Sequence, residues 1–427
     1  MRDLAGYGAV LAERPVRRLL LASLSGRVAF SMLPLGFVTF AAAETGSTVT
    51  AGALVAAFTT ASALAPVRGR IVDRHGPRAL AAFALGCSAG IAALVLVAAL
   101  GAPPAVLVLV SALAGLFLPP LGPFTRAVWG VALRGPRLQR AYGLDSAGEE
   151  AALIVAPLAV AVVVAVASPR VALLVAAVGM LGGTLAAGRS RLAAGAVAGR
   201  VSPRARGPRA RLPRELWLVF GALVPTAAAL GAVDVAVPAA ARDDGALTSA
   251  GVLLAAMAVG TVAGSLLAGR RAWRGPAELR VVALQVVMAV GLAVSALAVG
   301  RLGALAVALV LPGAALGALF ATLYVVVDRH TPPGSGTRTF AWLVTANNGG
   351  LAVGAAVAGA LSEAPGPSAG LWFASACALA GTVPAALAAG MSARVPHPDQ
   401  SPGASGVPCE TGQIRKRQGN GDRREGS

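Results

Sequence analysis

The sequence predicts an all-α integral membrane protein with twelve transmembrane helices, six on each side of a central basic loop. Hydrophobic residues make up 56% of its 427 residues and charged residues only 13%, whereas soluble domains carry about 25% charged residues. Twelve apolar runs have roughly the 20 residues that a bilayer-spanning helix needs. The basic residues lie mainly in alternate connections between these runs, which is typical of multi-pass membrane proteins.

The apolar runs define predicted spans 1 to 12, which are 19–43, 48–67, 79–101, 104–125, 142–167, 170–188, 216–240, 248–269, 279–300, 303–327, 339–361 and 370–391. Turn signals separate them on one side, at Gly46, Pro103–Pro104, Ser168–Pro169, Gly245 and Pro365–Pro367. Arg clusters occupy the connections on the other side. Residues 19–188 and 216–391 are therefore expected to form two six-helix bundles, joined by a basic linker at 189–215.

The distribution of basic residues sets the predicted orientation. All but four of the 36 Lys and Arg residues lie in the segments 1–18, 189–215 and 392–427 or in connections on the same side. The exceptions are Arg27, Arg170, Arg242 and Arg301. By the positive-inside rule, both termini are expected in the cytoplasm, with the protein in the inner (cell) membrane of a bacterium. The linker is expected to lie near anionic head groups, and the tail 392–427 to be disordered.

The sequence offers little for enzymatic chemistry. Cys87 and Cys377 fall inside apolar runs and Cys409 lies in the tail, without the spacing of a disulfide framework or a zinc site. The three His residues lie in loops or the tail, and neither a catalytic triad order nor a phosphate-binding Gly-Lys-Ser/Thr loop is present. We expect no enzyme activity, metal, cofactor or ATP-driven pumping. The net charge of +18 is spread in small clusters, so nucleic acid is not an expected partner.

A short motif follows span 2. It reads Gly69-Arg-Ile-Val-Asp73-Arg74-His-Gly76-Pro-Arg78. This segment resembles the signature between helices 2 and 3 of the major facilitator superfamily, except that Pro77 replaces a basic residue. Span 8 ends on a degenerate copy, Gly264-Ser-Leu-Leu-Ala268-Gly269-Arg270-Arg271. In this copy Ala268 stands where the first copy has Asp73.

The resemblance implies the major facilitator fold, with two pseudo-symmetric six-helix bundles, and secondary transport by alternating access. The gating motif would be Gly69, Asp73, Arg74, Gly76 and Arg78. Within it, the resemblance implies that Asp73 contacts the start of span 11 as a latch that closes the cytoplasmic gate. From the residues alone, spans 3 and 11 both begin on this side, and either partially positive helix start could receive the carboxylate. A plain turn with a surface ion pair is the alternative.

Ionisable residues inside membrane spans are rare and indicate function. Arg27 lies inside span 1, and Glu149 and Glu150 lie at a similar depth in span 5. The resemblance makes spans 1 and 5 neighbours, so we expect Arg27 to pair with Glu150 or Glu149. Such a pair would be either a protonatable site or a static ion pair that fixes helix packing.

Two further acids belong to the same candidate proton or ion-pair site. Asp145 shares a helix face with Glu149, but its position near the start of span 5 predicts an interfacial salt bridge with Arg140 or Arg126 rather than a solute contact. Asp234 lies in the outer part of span 7, near a predicted bend. It is a candidate cation or proton site, with simple exposure to outer water as the alternative.

The candidate substrate cavity contains Arg126, Tyr324, Trp342, Asn347 and Asn348. The two adjacent amides predict hydrogen bonds across a cavity or between packed helices. Because the spans contain few polar groups, we expect an amphipathic or apolar small-molecule solute. We further expect proton-coupled efflux, carried out by a monomer in the lipid bilayer. The alternatives are an uptake permease for a small metabolite and a transporter-like scaffold or sensor without flux.

Overall fold

The computed structural model describes residues 2–200, 212–243, 250–270, 276–363 and 366–392. Over these residues the chain forms α-helices joined by short turns and contains no β-strand. Three predicted features lie outside the described residues: the middle of the basic linker, the turn at Gly245 and the tail after Ser392.

The helices are numbered in chain order. In the first half they are α1 (Arg2–Ala12), α2 (Arg14–Ser31), α3 (Leu33–Thr45), α4 (Thr48–Ser62), α5 (Ala65–His75), α6 (Pro77–Ala99), α7 (Pro104–Leu116), α8 (Leu121–Ala132), α9 (Gly135–Val166), α10 (Pro169–Gly188) and α11 (Arg191–Arg200). In the second half they are α12 (Arg214–Asp243), α13 (Ala250–Arg270), α14 (Ala277–Leu297), α15 (Leu302–His330), α16 (Gly336–Glu363), α17 (Pro367–Ala380) and α18 (Thr382–Ser392).

The described residues contain eleven helices that are long and apolar enough to cross a membrane, or twelve if the bent pair α4–α5 is one span. The predicted fold class, an all-α membrane protein of this size, is therefore confirmed. The axes of α4 and α5 differ by 47°. Pro66 lies in the first turn of α5, where its missing N–H costs no helical hydrogen bond, so it favours a new helix start after the break.

Several helices extend beyond the predicted spans. Helix α5 continues to His75, and helix α9 begins at Gly135 rather than at 142. Gly69 and Asp73, which were expected in the connection after span 2, therefore lie on a helix, and that expectation was wrong. Hydropathy marks the bilayer thickness, whereas a helix can continue with polar residues beyond it.

Small residues let the helices pack closely within each half. A Cβ on Gly183 of α10 would overlap the backbone of Gly26 in α2. In the second half, a Cβ on Gly354 of α16 would overlap the backbone of Ala228 in α12. Lipid provides little hydrophobic drive for helix association, so close backbone approach of this kind supplies much of the packing energy.

The two halves contact each other mainly at one end. We call it the Arg-rich end; it carries the turn between α5 and α6, the start of α9 and the end of α13. There α5 and α8 pack against α16, and α9 packs against α13 and α15. At the opposite end, the described helices α3, α4 and α7 pack within the first half and make no extensive contact with the second. The described conformation is therefore closed at the Arg-rich end.

Candidate functional site

Asp73 joins the two halves at the Arg-rich end. Its Oδ1 accepts a hydrogen bond from the backbone N–H of Thr337 at 2.9 Å, and its Oδ2 accepts one from Arg338 at 2.8 Å. Helix α16 begins at Gly336, so both donors belong to its first turn, which has no intrahelical acceptors and carries partial positive charge. The contact with span 11 that the family resemblance implies is present.

Gly69 allows this approach. It lies one turn before Asp73 on α5, and a Cβ at this position would lie 2.9 Å from both the carbonyl oxygen of Thr337 and the Cα of Arg338. Side chains do not tolerate such distances from backbone atoms. Glycine at position 69 therefore lets α5 and α16 meet closely enough for the carboxylate to reach the helix start.

The remaining motif residues lie outside this contact. Gly76 forms the turn between α5 and α6 with a φ of 67°, a conformation that favours glycine. Arg74 and Arg78 are exposed. The motif therefore combines one tight turn, one carboxylate between the halves and two arginines at the surface.

A buried charge network lies deeper in the first half. Arg27 donates from Nη2 to Oδ1 of Asp145 at 2.8 Å and from Nη1 to the backbone oxygen of the same residue at 3.2 Å. Arg126 of α8 donates from Nε to Oδ2 of Asp145 at 2.8 Å. The side chains of Arg126 and Asp145 are both 1% exposed. Helices α2, α8 and α9 are thus joined by one carboxylate that accepts from two guanidinium groups.

Two expectations about this network were wrong. Arg27 pairs with Asp145 and not with Glu150 or Glu149. The predicted pair between Asp145 and Arg126 is present, but it is buried rather than interfacial. The cause is the early start of α9 at Gly135, which places Asp145 about 15 Å along the helix.

Glu149 connects this network to the second half. It forms an ion pair with Nη2 of Arg126 and accepts a hydrogen bond from the hydroxyl of Tyr324 in α15 at 3.1 Å. The guanidinium of Arg126 lies 4.0 Å from the centre of the Tyr324 ring, a cation–π contact. The Glu149 side chain is 43% exposed, whereas that of Arg126 is 1% exposed. A water-accessible acid therefore rests on a buried network between the halves.

The five predicted cavity residues lie in different environments. Arg126 and Tyr324 are 1% and 2% exposed in this conformation, because the contact between the halves covers them, so their place in a substrate cavity stays a prediction. Trp342 is half-buried and packs against a tryptophan of α12, with the ring centres 5.4 Å apart. Asn347 is half-buried and donates to exposed Asn348 at 3.4 Å.

Glu150 and Asp234 lie on opposite halves, on α9 and α12. Glu150 is half-buried and Asp234 is exposed. No group of His, Cys, Asp and Glu in the described part of the chain could hold a metal ion.

Further polar contacts between the halves were not predicted. The hydroxyls of Ser146 in α9 and Ser265 in α13 are 3.0 Å apart. Gln139 donates from Nε2 to the backbone oxygen of Ala268 at 2.6 Å. Both second-half residues belong to the degenerate copy of the gating motif, which was the available sequence signal for a contact here.

Arg68 is a second residue that sequence reasoning missed. It was assigned to a cytoplasmic connection, but it is 4% exposed between two helix ends. Its Nη1 donates to the backbone oxygens of Gly115 and Leu116 at 2.6 and 3.1 Å, and its Nη2 donates to that of Ser62 at 2.5 Å. The guanidinium thus satisfies carbonyl groups freed at the breaks after α4 and α7.

Comparison of the sequence with known proteins gives no assignment: no protein-family model matches the chain, and no curated protein matches it at a significant level. The structure, in contrast, is similar to solved transporters.

One similar structure is a bacterial homologue of the iron transporter ferroportin in an outward-facing state, with a TM-score of 0.69 and 15% identity over 88% of this chain and 100% of that chain. The human organic anion transporter MFSD10 (TETRAN) has a TM-score of 0.65 and 17% identity, over 87% of this chain and 99% of the MFSD10 chain. The Escherichia coli fucose:proton symporter FucP is a major facilitator superfamily transporter. It has a TM-score of 0.60 and 15% identity, over 87% of this chain and 98% of the FucP chain. The chain therefore has the fold of the major facilitator superfamily of transporters.

Proposed function

We propose that this protein is a secondary transporter that moves a small amphipathic or apolar solute by alternating access, as a proton-coupled efflux carrier. The observation that carries the proposal is the set of contacts between the halves at the Arg-rich end. Asp73 binds the start of α16, and Glu149 binds Tyr324. Each contact can break without unfolding either half, as a rocking motion of two rigid bundles requires.

The proposed orientation places the Arg-rich end in the cytoplasm of a bacterial cell, according to the positive-inside rule. With that orientation the described conformation is closed to the cytoplasm and faces outward. The ferroportin homologue and one FucP structure are likewise described as outward-facing. The proposed unit is a monomer with both termini in the cytoplasm.

The proposed proton site is Glu149. In the network the positive charges of Arg27 and Arg126 are balanced by the negative charges of Asp145 and Glu149. A proton on Glu149 removes one negative charge, weakening its ion pair with Arg126 and its hydrogen bond from Tyr324. Because the latter contact joins the halves, proton binding would favour their separation at the Arg-rich end.

The proposed solute is neutral or cationic. Glu149 is partly exposed, and two further acids, half-buried Glu150 and exposed Asp234, lie on opposite halves. The arginines at the same depth, Arg27 and Arg126, are buried and already paired with carboxylates. An anionic solute would therefore approach the carboxylates of Glu150 and Asp234 while Arg27 and Arg126 are not free to bind it, and its binding would be disfavoured.

Transport in vesicles of the purified protein tests the proposal. A panel of fluorescent amphipathic solutes is loaded into proteoliposomes, and flux is followed with and without an imposed pH gradient. We expect solute movement opposite to the proton gradient. Flux that ignores the gradient would reject proton coupling, and movement with the protons would favour the uptake alternative. Absence of flux for the whole panel from folded protein would favour the scaffold alternative.

A further inference from the structure

Helix α1 lies across the junction of the two halves at the Arg-rich end. It is continuous in sequence with α2 of the first half, yet it also packs against α13 of the second. Its buried side chains Tyr7 and Val10 are 7% and 2% exposed. They are three residues apart and therefore share one helix face. Gly8 and Ala9, on the other face, are exposed.

Tyr7 makes the contact with the second half. Its hydroxyl donates to the backbone oxygen of Leu266 in α13 at 2.5 Å. This carbonyl lies near the C-terminal end of α13, where the helix carries partial negative charge and favours a donor. The side chain of Tyr7 thus joins the first half to the backbone of the second.

Two glycines, one from each half, form the slot that receives Tyr7. A Cβ on Gly269 of α13 would overlap the Tyr7 hydroxyl, and a Cβ on Gly143 of α9 would lie 3.1 Å from it. A side chain larger than hydrogen at Gly269 would therefore displace the phenol. The slot exists only while α9 and α13 are together, because each helix supplies one wall.

We propose that α1 is a strap across the Arg-rich end and that Tyr7 is a positioning residue, which stabilises the conformation closed at that end. When α9 and α13 separate, Tyr7 must leave the slot and lose its acceptor. The closed conformation therefore has a contact that the open conformation lacks, and this contact shifts the equilibrium toward the closed conformation. The role of the strap in transport rests on the proposed alternating access, whereas its effect on the distance between the halves does not.

The strap is expected to act independently of pH. Burial raises the pKa of Tyr7 to about 12, against smaller opposing effects of Arg140 and Arg270. The phenol therefore remains a protonated donor throughout the physiological range. This property separates the strap from the proposed proton site at Glu149.

Distance measurements between the halves test the strap. Spin labels are attached at Arg189→Cys and Arg329→Cys, two exposed positions at the Arg-rich end of the first and second halves, after replacement of the native cysteines by alanine. Tyr7→Phe keeps the ring and removes the hydroxyl. Since one hydrogen bond contributes about 0.5–1.5 kcal/mol, we expect the ratio of open to closed conformations to rise about twofold to twelvefold. Tyr7→Ala and Gly269→Val should raise it further.

Matched controls are available on the same two helices. Gly8→Ala on α1 and Gly251→Val on α13 both place the added group in open space, so the distance distribution should stay that of the parent. Equal distributions for Tyr7→Phe, Tyr7→Ala and the controls would overturn the proposal. If Gly269→Val fails to fold, the distance distributions of the two Tyr7 variants still test the proposal. A shift in distance without any solute flux would support the strap while rejecting the proposed transport function.

Discussion

Tyr324 donates a hydrogen bond of 3.1 Å to Glu149 across the interface between the two halves. Tyr324 is 2% exposed and fixed within α15, whereas the Glu149 side chain is 43% exposed. One partner of the contact is therefore held in place, and the other is accessible to protons from water. A pair with these properties can convert the protonation of one group into a change of contact between two rigid bodies.

The first prediction concerns the stability of the buried network. Asp145→Asn should lower the free energy of unfolding by about 3–5 kcal/mol, because it leaves Arg27 and Arg126 buried without their shared countercharge. The measurement is denaturant unfolding of the purified protein in mixed micelles. Glu44→Gln, which removes an ion pair with exposed Arg170, is the control. Its free energy of unfolding should remain close to that of the wild-type protein. Equal stability of the two variants would contradict the network.

The second prediction concerns the latch. Asp73→Asn removes the charge that binds the start of α16, and hydrogen bonds to charged groups contribute about 1.5–3 kcal/mol. We therefore expect the labelled pair at Arg189→Cys and Arg329→Cys to move toward the open conformation and solute flux to fall at least tenfold, while the protein remains folded. Glu13→Gln is the control, since it removes an exposed ion pair with Arg137. Unchanged flux in Asp73→Asn would argue for the scaffold alternative.

The third prediction concerns Arg68. Arg68→Met should lower the free energy of unfolding by about 2 kcal/mol or more, since it leaves the carbonyls of Ser62 and Leu116 without their guanidinium donor. Arg68→Lys can restore part of the loss because its ammonium group donates in several directions. Arg70→Met, on the exposed side of the same helix, is the matched control. Wild-type stability in Arg68→Met would show that other donors replace the guanidinium.

The fourth prediction concerns the charge of the solute. Among amphipathic dyes of similar size, a cationic or neutral member should be transported faster than an anionic one. Glu150→Gln combined with Asp234→Asn should narrow this difference in transport rate, because it removes one carboxylate from each half. Competition assays in proteoliposomes give the ranking. Preference for the anionic dye in the wild-type protein would refute the assignment of solute charge.

Much of the fold could be predicted because span length and Arg distribution follow directly from the bilayer. The contact of Asp73 with the start of α16 followed from the family resemblance, whereas the residues alone left span 3 equally possible. The partner of Arg27 could not be found, because α9 begins at Gly135 in a polar segment that carries no hydropathy signal. The earlier start of α9 changes which of its acidic residues lies at the same depth as the Arg27 guanidinium.

Arg68 and Tyr7 were missed for related reasons. An arginine directly after an apolar run has the sequence pattern of a connection, and the carbonyls that Arg68 binds are freed by helix breaks that appear only in three dimensions. Helix α1 is too short and too mixed in polarity to register as a span. Its place between the halves depends on glycines more than 130 positions away in the chain.

Simultaneous recording of solute and proton movement shows whether the two fluxes are coupled through Glu149. Proteoliposomes containing a pH-sensitive dye are given solute without an imposed gradient, and both signals are followed for the wild-type protein and for Glu149→Gln. We expect proton movement opposite to the solute in the wild-type protein, and its loss in Glu149→Gln, whose side chain has no carboxyl group to protonate. Solute transport without proton movement in the wild-type protein, or unchanged proton movement in Glu149→Gln, would contradict this coupling.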